Sequence, residues 1–171
     1  MVEETTNILF SLNGIKDLAK ALAKPFERIS IIYPNKAFLK DKNRWISSIT
    51  LWDNHNVGLR IKPVMNDLAE RLEVGSLSFD HVMVADKRDE FFDLPEGYSK
   101  GSLPKKMTLN ESGHVIESGI IITEPNGTQI LIVPNAMPYT LAIRCSEITS
   151  KFFEPEYALE DYIIQTWNNV L

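Results

Sequence analysis

The sequence predicts an α+β fold in which a dominant antiparallel β-sheet, curled or folded as a sandwich, carries one N-terminal and one C-terminal helix. Three observations predict it. Apolar residues recur at helical spacing mainly near the two ends. Between them, β-branched runs and strict alternation prevail. The regular strand–helix alternation of a parallel sheet is missing. With 171 residues, 44% apolar and 24% charged, the chain fits a single globular domain over 1–171 with a real core. No internal repeat, low-complexity tract or linker divides it.

The N-terminal helix is read from "GIKDLAKALAKPF", where Ile15, Leu18 and Leu22 share a face. Asn13 and Gly14 are its start signals and Pro25 its stop. "RISIIYP" is a β-branched run closed by Pro34. "WISSITLWD" and "NVGLRIKP" flank Asn54, His55 and Asn56, which reads as a hairpin. A short helix is expected at "MNDLAERL". In "ERLEVGSLSFDHVMVAD" the alternation changes phase across Gly75-Ser76, which predicts a bulge or tight bend.

Residues 86–112 carry little periodicity and are expected to form a long irregular segment. Beyond them, Ile120–Ile122 and Ile130–Val133 lack alternation, which predicts central strands covered on both faces. Glu124-Pro125-Asn126-Gly127 between them is a turn, since Pro sets φ and Gly accepts φ > 0. Tyr139, Leu141 and Ile143 alternate with Thr140, Ala142 and Arg144 in a further strand. In "PEYALEDYIIQTWNNVL", Leu159, Ile163, Trp167 and Val170 stand at three- and four-residue steps, which predicts a C-terminal helix starting near Pro155.

Chemistry is sparsely marked. No G-x-G-x-x-G, no P-loop Lys-Ser/Thr and no G-x-S-x-G occurs. His55, His81 and His114 are dispersed, so no metal site is expected, although Asp53 and Asp80 stand close to two of them. Cys145 reads as a small core residue in a strand. No catalytic set and no cofactor is assigned. No run of about 18 apolar residues is present, and the acidic "MVEETTNILF" does not resemble a secretory leader. A cytoplasmic protein is the expectation.

Formal net charge is −5. That argues against nucleic-acid and anionic-membrane partners and suits a basic protein. Lys36, Lys40, Lys42 and Arg44 form a local basic cluster, and Lys105-Lys106 a smaller pair; both read as solvated loops. The segment "DKRDEFFDLPEG" sets five acids around two phenylalanines. Asp86, Asp89, Glu90, Phe91, Phe92, Asp93 and Glu96 are therefore the candidate partner-binding residues. Aromatics supply buried area at interfaces, and charge of one sign steers an opposite partner. Phe92 inward and Phe91 outward would let one segment serve both the core and the surface.

Two functional readings follow. The first is a protein-binding inhibitor, most concretely an immunity protein or antitoxin that neutralises a basic, nuclease-like toxin through an acidic–aromatic surface. The second is a small-ligand-binding domain or enzyme with a pocket inside the curled sheet, lined by Trp45, Trp52, Tyr139 and His114. A deep pocket holding a histidine and carboxylates would favour the second.

Overall fold

The computed structural model describes residues 6–34, 45–69, 72–94, 103–123, 127, 129–145 and 153–167. Two mixed, mainly antiparallel sheets of six strands each make up the fold. The first contains β1 (Thr6–Ile8), β8 (Leu103–Glu111), β9 (His114–Thr123), β10 (Gln129–Pro134), β11 (Leu141–Arg144) and β12 (Ile163–Thr166). Its order is β11-β10-β9-β8-β12, with β1 beside the start of β9. The second contains β2 (Ser11–Asn13), β3 (Phe26–Ile32), β4 (Ser48–Asp53), β5 (Gly58–Ala69), β6 (Leu72–Val82) and β7 (Glu90–Asp93), in the order β2-β6-β5-β4-β3-β7. The pairs β1–β9 and β2–β6 are parallel, so one short N-terminal arm is stitched into both sheets.

Alternation puts Ile29, Ile31, Ile49, Leu51, Leu59 and Ile61 of the second sheet on one face. They share a core with Ile120, Ile122, Ile130, Ile132 and Ile143 of the first. Two sheets with interdigitating inner faces form a sandwich. The hairpin at Asn54–Asn56 is present, with Leu51 opposite Leu59. The strands flanking Gly127 pair as expected, Ile130 opposite Ile122 and Leu131 opposite Ile121; Glu124–Asn126 lie outside the described residues. A second cluster explains why β9 and β10 do not alternate. Ile121, Leu131 and Val133 face away from the sandwich and pack with Met107, Val74 and Tyr162. Phe153, Tyr157 and Leu159 from the C-terminal segment cover them, as does Leu68 from the far end of β5.

The two predicted flanking helices are not found, and the fold is nearly all β. The N-terminal one shrinks to α1 (Leu18–Leu22), capped by Asp17, whose carboxylate accepts the Lys20 N–H at 3.1 Å. Asn13 belongs to β2, and Gly14 turns the chain at φ +75°. At the other end, Leu159–Asp161 make one 3-10 turn and Ile163–Thr166 an edge strand against β8. The helical spacing of Leu159, Ile163 and Trp167 competes there with β8's open edge, whose backbone groups need partners. The β-branched Ile163 and Ile164 favour the strand; Val170 lies outside the described residues. In "MNDLAERL", residues 65–69 likewise continue β5 rather than starting a helix, Leu72 opens β6, and Glu70 and Arg71 lie outside the described residues; Asn66 Nδ2 donates to the Val74 carbonyl across the ribbon at 3.2 Å. The segment 86–112 is not irregular throughout, because it supplies β7 and β8.

The phase change at Gly75-Ser76 is not a bulge. Register there is unbroken, with Met65 opposite Gly75 and Val64 opposite Ser76. Val74 through Leu77 are all buried because β6 here runs against the first sheet. Ser118 Oγ donates to the Gly75 carbonyl at 2.9 Å, and Ser76 Oγ donates to the Glu117 carbonyl. Residue 75 must be glycine for a spatial reason: a Cβ there would stand 2.5 Å from Pro134 Cβ.

The Gly75 N–H donates to the Glu156 carboxylate, at 2.9 and 3.1 Å to its two oxygens. Burial raises the Glu156 carboxyl above its ordinary value, and the Gly75 N–H opposes that only in part. A carboxyl with a raised folded pKa stabilises the fold while protonated. That contribution is lost as pH climbs from the ordinary carboxylate value through the raised one. Glu156→Gln keeps an acceptor for Gly75 without the charge. It should therefore melt higher than wild type at pH 8, with the gap closing below pH 4. Thermal melts of both proteins across that range measure it.

Candidate partner-binding site

Between β6 and β7 the chain must pass β5, β4 and β3, because β7 lies at the far edge of the sheet. It crosses on the outer face. Ile29 and Ile31 point into the core, so Ser30 between them points out. Ser30 Oγ donates to Asp89 Oδ1 at 3.0 Å, and Trp52 Nε1 donates to Ser30 Oγ at 2.8 Å. Arg60, also on the outer face, donates to Asp89 Oδ2 at 2.8 Å and through Nε to Thr50 Oγ1 at 2.9 Å. The Asp86 N–H completes the shell of Asp89 at 2.7 Å. The Asp89 side chain has 0% of its surface exposed and that of Arg60 11%. Asp89 is thus a staple under the crossing, not a surface charge.

The other candidates divide. Asp86 closes a turn on Arg88, accepting its backbone N–H and two guanidinium contacts at 2.9–3.0 Å. Those bonds hold the Asp86 carboxyl well below the usual carboxylate range. In β7, Phe92 pairs with Ile29 and packs on the core, while Phe91 is 40% exposed on the outer face. The Phe91 ring lies 4.4 Å from the Arg28 guanidinium carbon and 6.0 Å from the Trp52 ring. Glu90 is half-buried and Asp93 exposed opposite Arg28. Glu96 lies outside the described residues.

Sequence reading missed what holds this segment: Ser30, Trp52 and Arg60 come from three different strands. Arg60, set within an alternating strand between Leu59 and Ile61, was the one local signal. It also missed Met83 and Val84, which ride on the crossing at 69% and 79% exposure.

The expected pocket residues do not converge. Trp52 is buried in the network above, Tyr139 is 64% exposed, and neither these nor Trp45 or His114 line the cleft at the N-terminal arm. That cleft, about 360 Å³, is lined by Leu9, Phe10, Leu12, Lys16, Glu117 and Trp167 among others. Its carboxylates have structural duties. Asp17 caps α1, and Glu117 accepts from the Phe10 N–H and Lys106 Nζ at 2.9 and 2.8 Å. Lys106 is therefore a strand residue in an ion pair, not part of a solvated loop. Asp53 closes the hairpin turn by accepting the His55 and Val57 N–H groups. Among the described residues, no three His, Cys, Asp or Glu are grouped to hold a metal. Cys145 is buried, and Lys36, Lys40, Lys42 and Arg44 lie outside the described residues. No described helix is long and apolar enough to cross a membrane. Compared with protein families, curated proteins and solved structures, the chain shows no significant match.

Proposed function

We propose that this protein is a protein-binding inhibitor, of the immunity or antitoxin type, that engages a basic partner through β7 and the crossing before it. One observation carries the reading: among the described residues β7 is an edge strand, and it presents Phe91 and Asp93 while a buried network fixes it from beneath. Edge strands recruit extended partner segments through main-chain hydrogen bonds, with alternate side chains giving specificity. A fixed edge loses little conformational freedom on binding. Met83 and Val84 add exposed apolar side chains at the β6 end of the crossing, and the net charge of −5 suits a basic surface. The proposal keeps the inhibitor in the cytosol, where it would mask a nuclease-like active site.

The surface is narrower than the sequence implies. Asp89 and Asp86 are committed within the fold, which leaves Phe91, Asp93, Met83 and Val84 as the exposed contacts. A ligand pocket inside the sheet has no comparable support, since the cleft's carboxylates are engaged in structure.

Capture from the native host with immobilised protein tests the proposal. A basic protein should be retained by wild type and lost at high salt, because steering between charges is screened beyond about 8 Å at physiological ionic strength. Asp93→Lys should slow its association without lowering the melting temperature, as an exposed charge carries little stability. Phe91→Ala should weaken binding by roughly 30-fold if the ring is a central anchor. Equal binding by wild type and both variants would place the interface elsewhere.

A further inference from the structure

The edges of the two sheets are not equally protected. Edge strands are normally blunted by charge, brevity or cover, because open backbone groups invite another strand. In the second sheet β7 carries Glu90 and Asp93, which suit a basic partner but repel a second copy of the same strand, and β2 is three residues long. In the first, β11 is met by Ile46, whose carbonyl accepts the Leu141 N–H at 2.8 Å, and ends on Arg144. β12 differs. Its four residues, Ile163, Ile164, Gln165 and Thr166, are all exposed and none is charged. Ile163 is 45% and Ile164 54% exposed, on opposite faces of the strand. Among the described residues, no strand lies beyond it.

We propose that β12 pairs antiparallel with β12 of a second copy, joining two first sheets across a two-fold axis. Charge selects a second copy as the occupant. Glu160 and Asp161 are exposed just before β12, and Lys105 lies opposite Thr166 at its other end. An antiparallel two-fold sets the acidic end of each copy at the Lys105 end of the other. A strand with no charge of its own has nothing to repel its copy. Ile163 and Ile164 of both copies then cover one another on the two faces of the joined sheet. Four residues a side bury less than the roughly 1,000 Å² of a firm interface, so the dimer is weak and concentration-dependent. The pairing uses a different edge from the proposed inhibitory surface, so either proposal can fail alone.

Sedimentation of the full chain over a wide concentration range tests it. Wild type should move reversibly from 19.5 kDa towards twice that mass. Ile164→Lys should stay monomeric with an unchanged melting temperature, because its side chain is exposed. Lys105→Glu should weaken the dimer, and Lys105→Glu combined with Asp161→Lys should restore it. A wild type that remains monomeric at its solubility limit overturns the proposal. So does a dimer indifferent to Ile164→Lys.

Discussion

Ile132→Asp should forfeit a large part of the protein's stability. Ile132 is fully buried on the inner face of β10, flanked by Ile120 on one side and Ile143 on the other. A carboxylate there would lose its hydration with only aliphatic neighbours, and a group so placed costs more than about 4 kcal/mol. Total stability of a natural domain is about 5–15 kcal/mol, so a large fraction of it is forfeited. The same change one residue pair away should be milder. Ile121 is also buried, but it faces the outer cluster and lies directly opposite Lys105. An aspartate at 121 therefore finds a cation within reach. Urea midpoints of the two variants should fall in that order. Equal midpoints would mean that the inner and outer faces of β10 and β9 are not differently covered.

The second large effect is at Asp89. Asp89→Ala removes the partner of Arg60, whose side chain is only 11% exposed, and leaves the Ser30 hydroxyl and the Asp86 N–H without the carboxylate that accepts from them. Breaking a buried ion pair from one side costs about 3–5 kcal/mol, because the remaining charge has lost both water and counter-ion. The Arg60→Met, Asp89→Ala pair should recover much of that loss, as neither member then leaves a charge behind. A double-mutant cycle by chemical denaturation measures the coupling. Near-additive losses would show that the two side chains do not act together. A surface aspartate would behave otherwise.

The strands were legible where one rule governed them. Alternation from Val57 to Ile61 needs only one face in the core, and the unbroken runs at Ile120–Ile122 and Ile130–Val133 only two dry faces. The ends were not legible, because local spacing was overruled by distant backbone. Ile163 and Trp167 keep helical intervals, yet β8 offers hydrogen bonds that a helix there would leave unmade. The segment around Asp89 was legible in part. The split between Phe91 and Phe92 follows from strand alternation once β7 is paired with β3. That Asp89 is buried does not follow from any local pattern. Its partners, Ser30 and Arg60, are 59 and 29 residues away in the chain.

The N-terminal arm that joins both sheets has a consequence in time. Phe10 donates its N–H to Glu117, 107 residues later, and β1 and β2 lie parallel to strands that are made long after them. At a translation rate of about 5–20 residues per second, that separation is a wait of roughly 5–20 s. Until β9 leaves the ribosome the arm has no first sheet to join, and the nascent second sheet has no opposite layer to cover Ile29, Ile31 and Ile61. Closing so long a loop is entropically slow compared with forming the adjacent hairpins. The arm is therefore expected to seat late, as a latch on hairpins already in place.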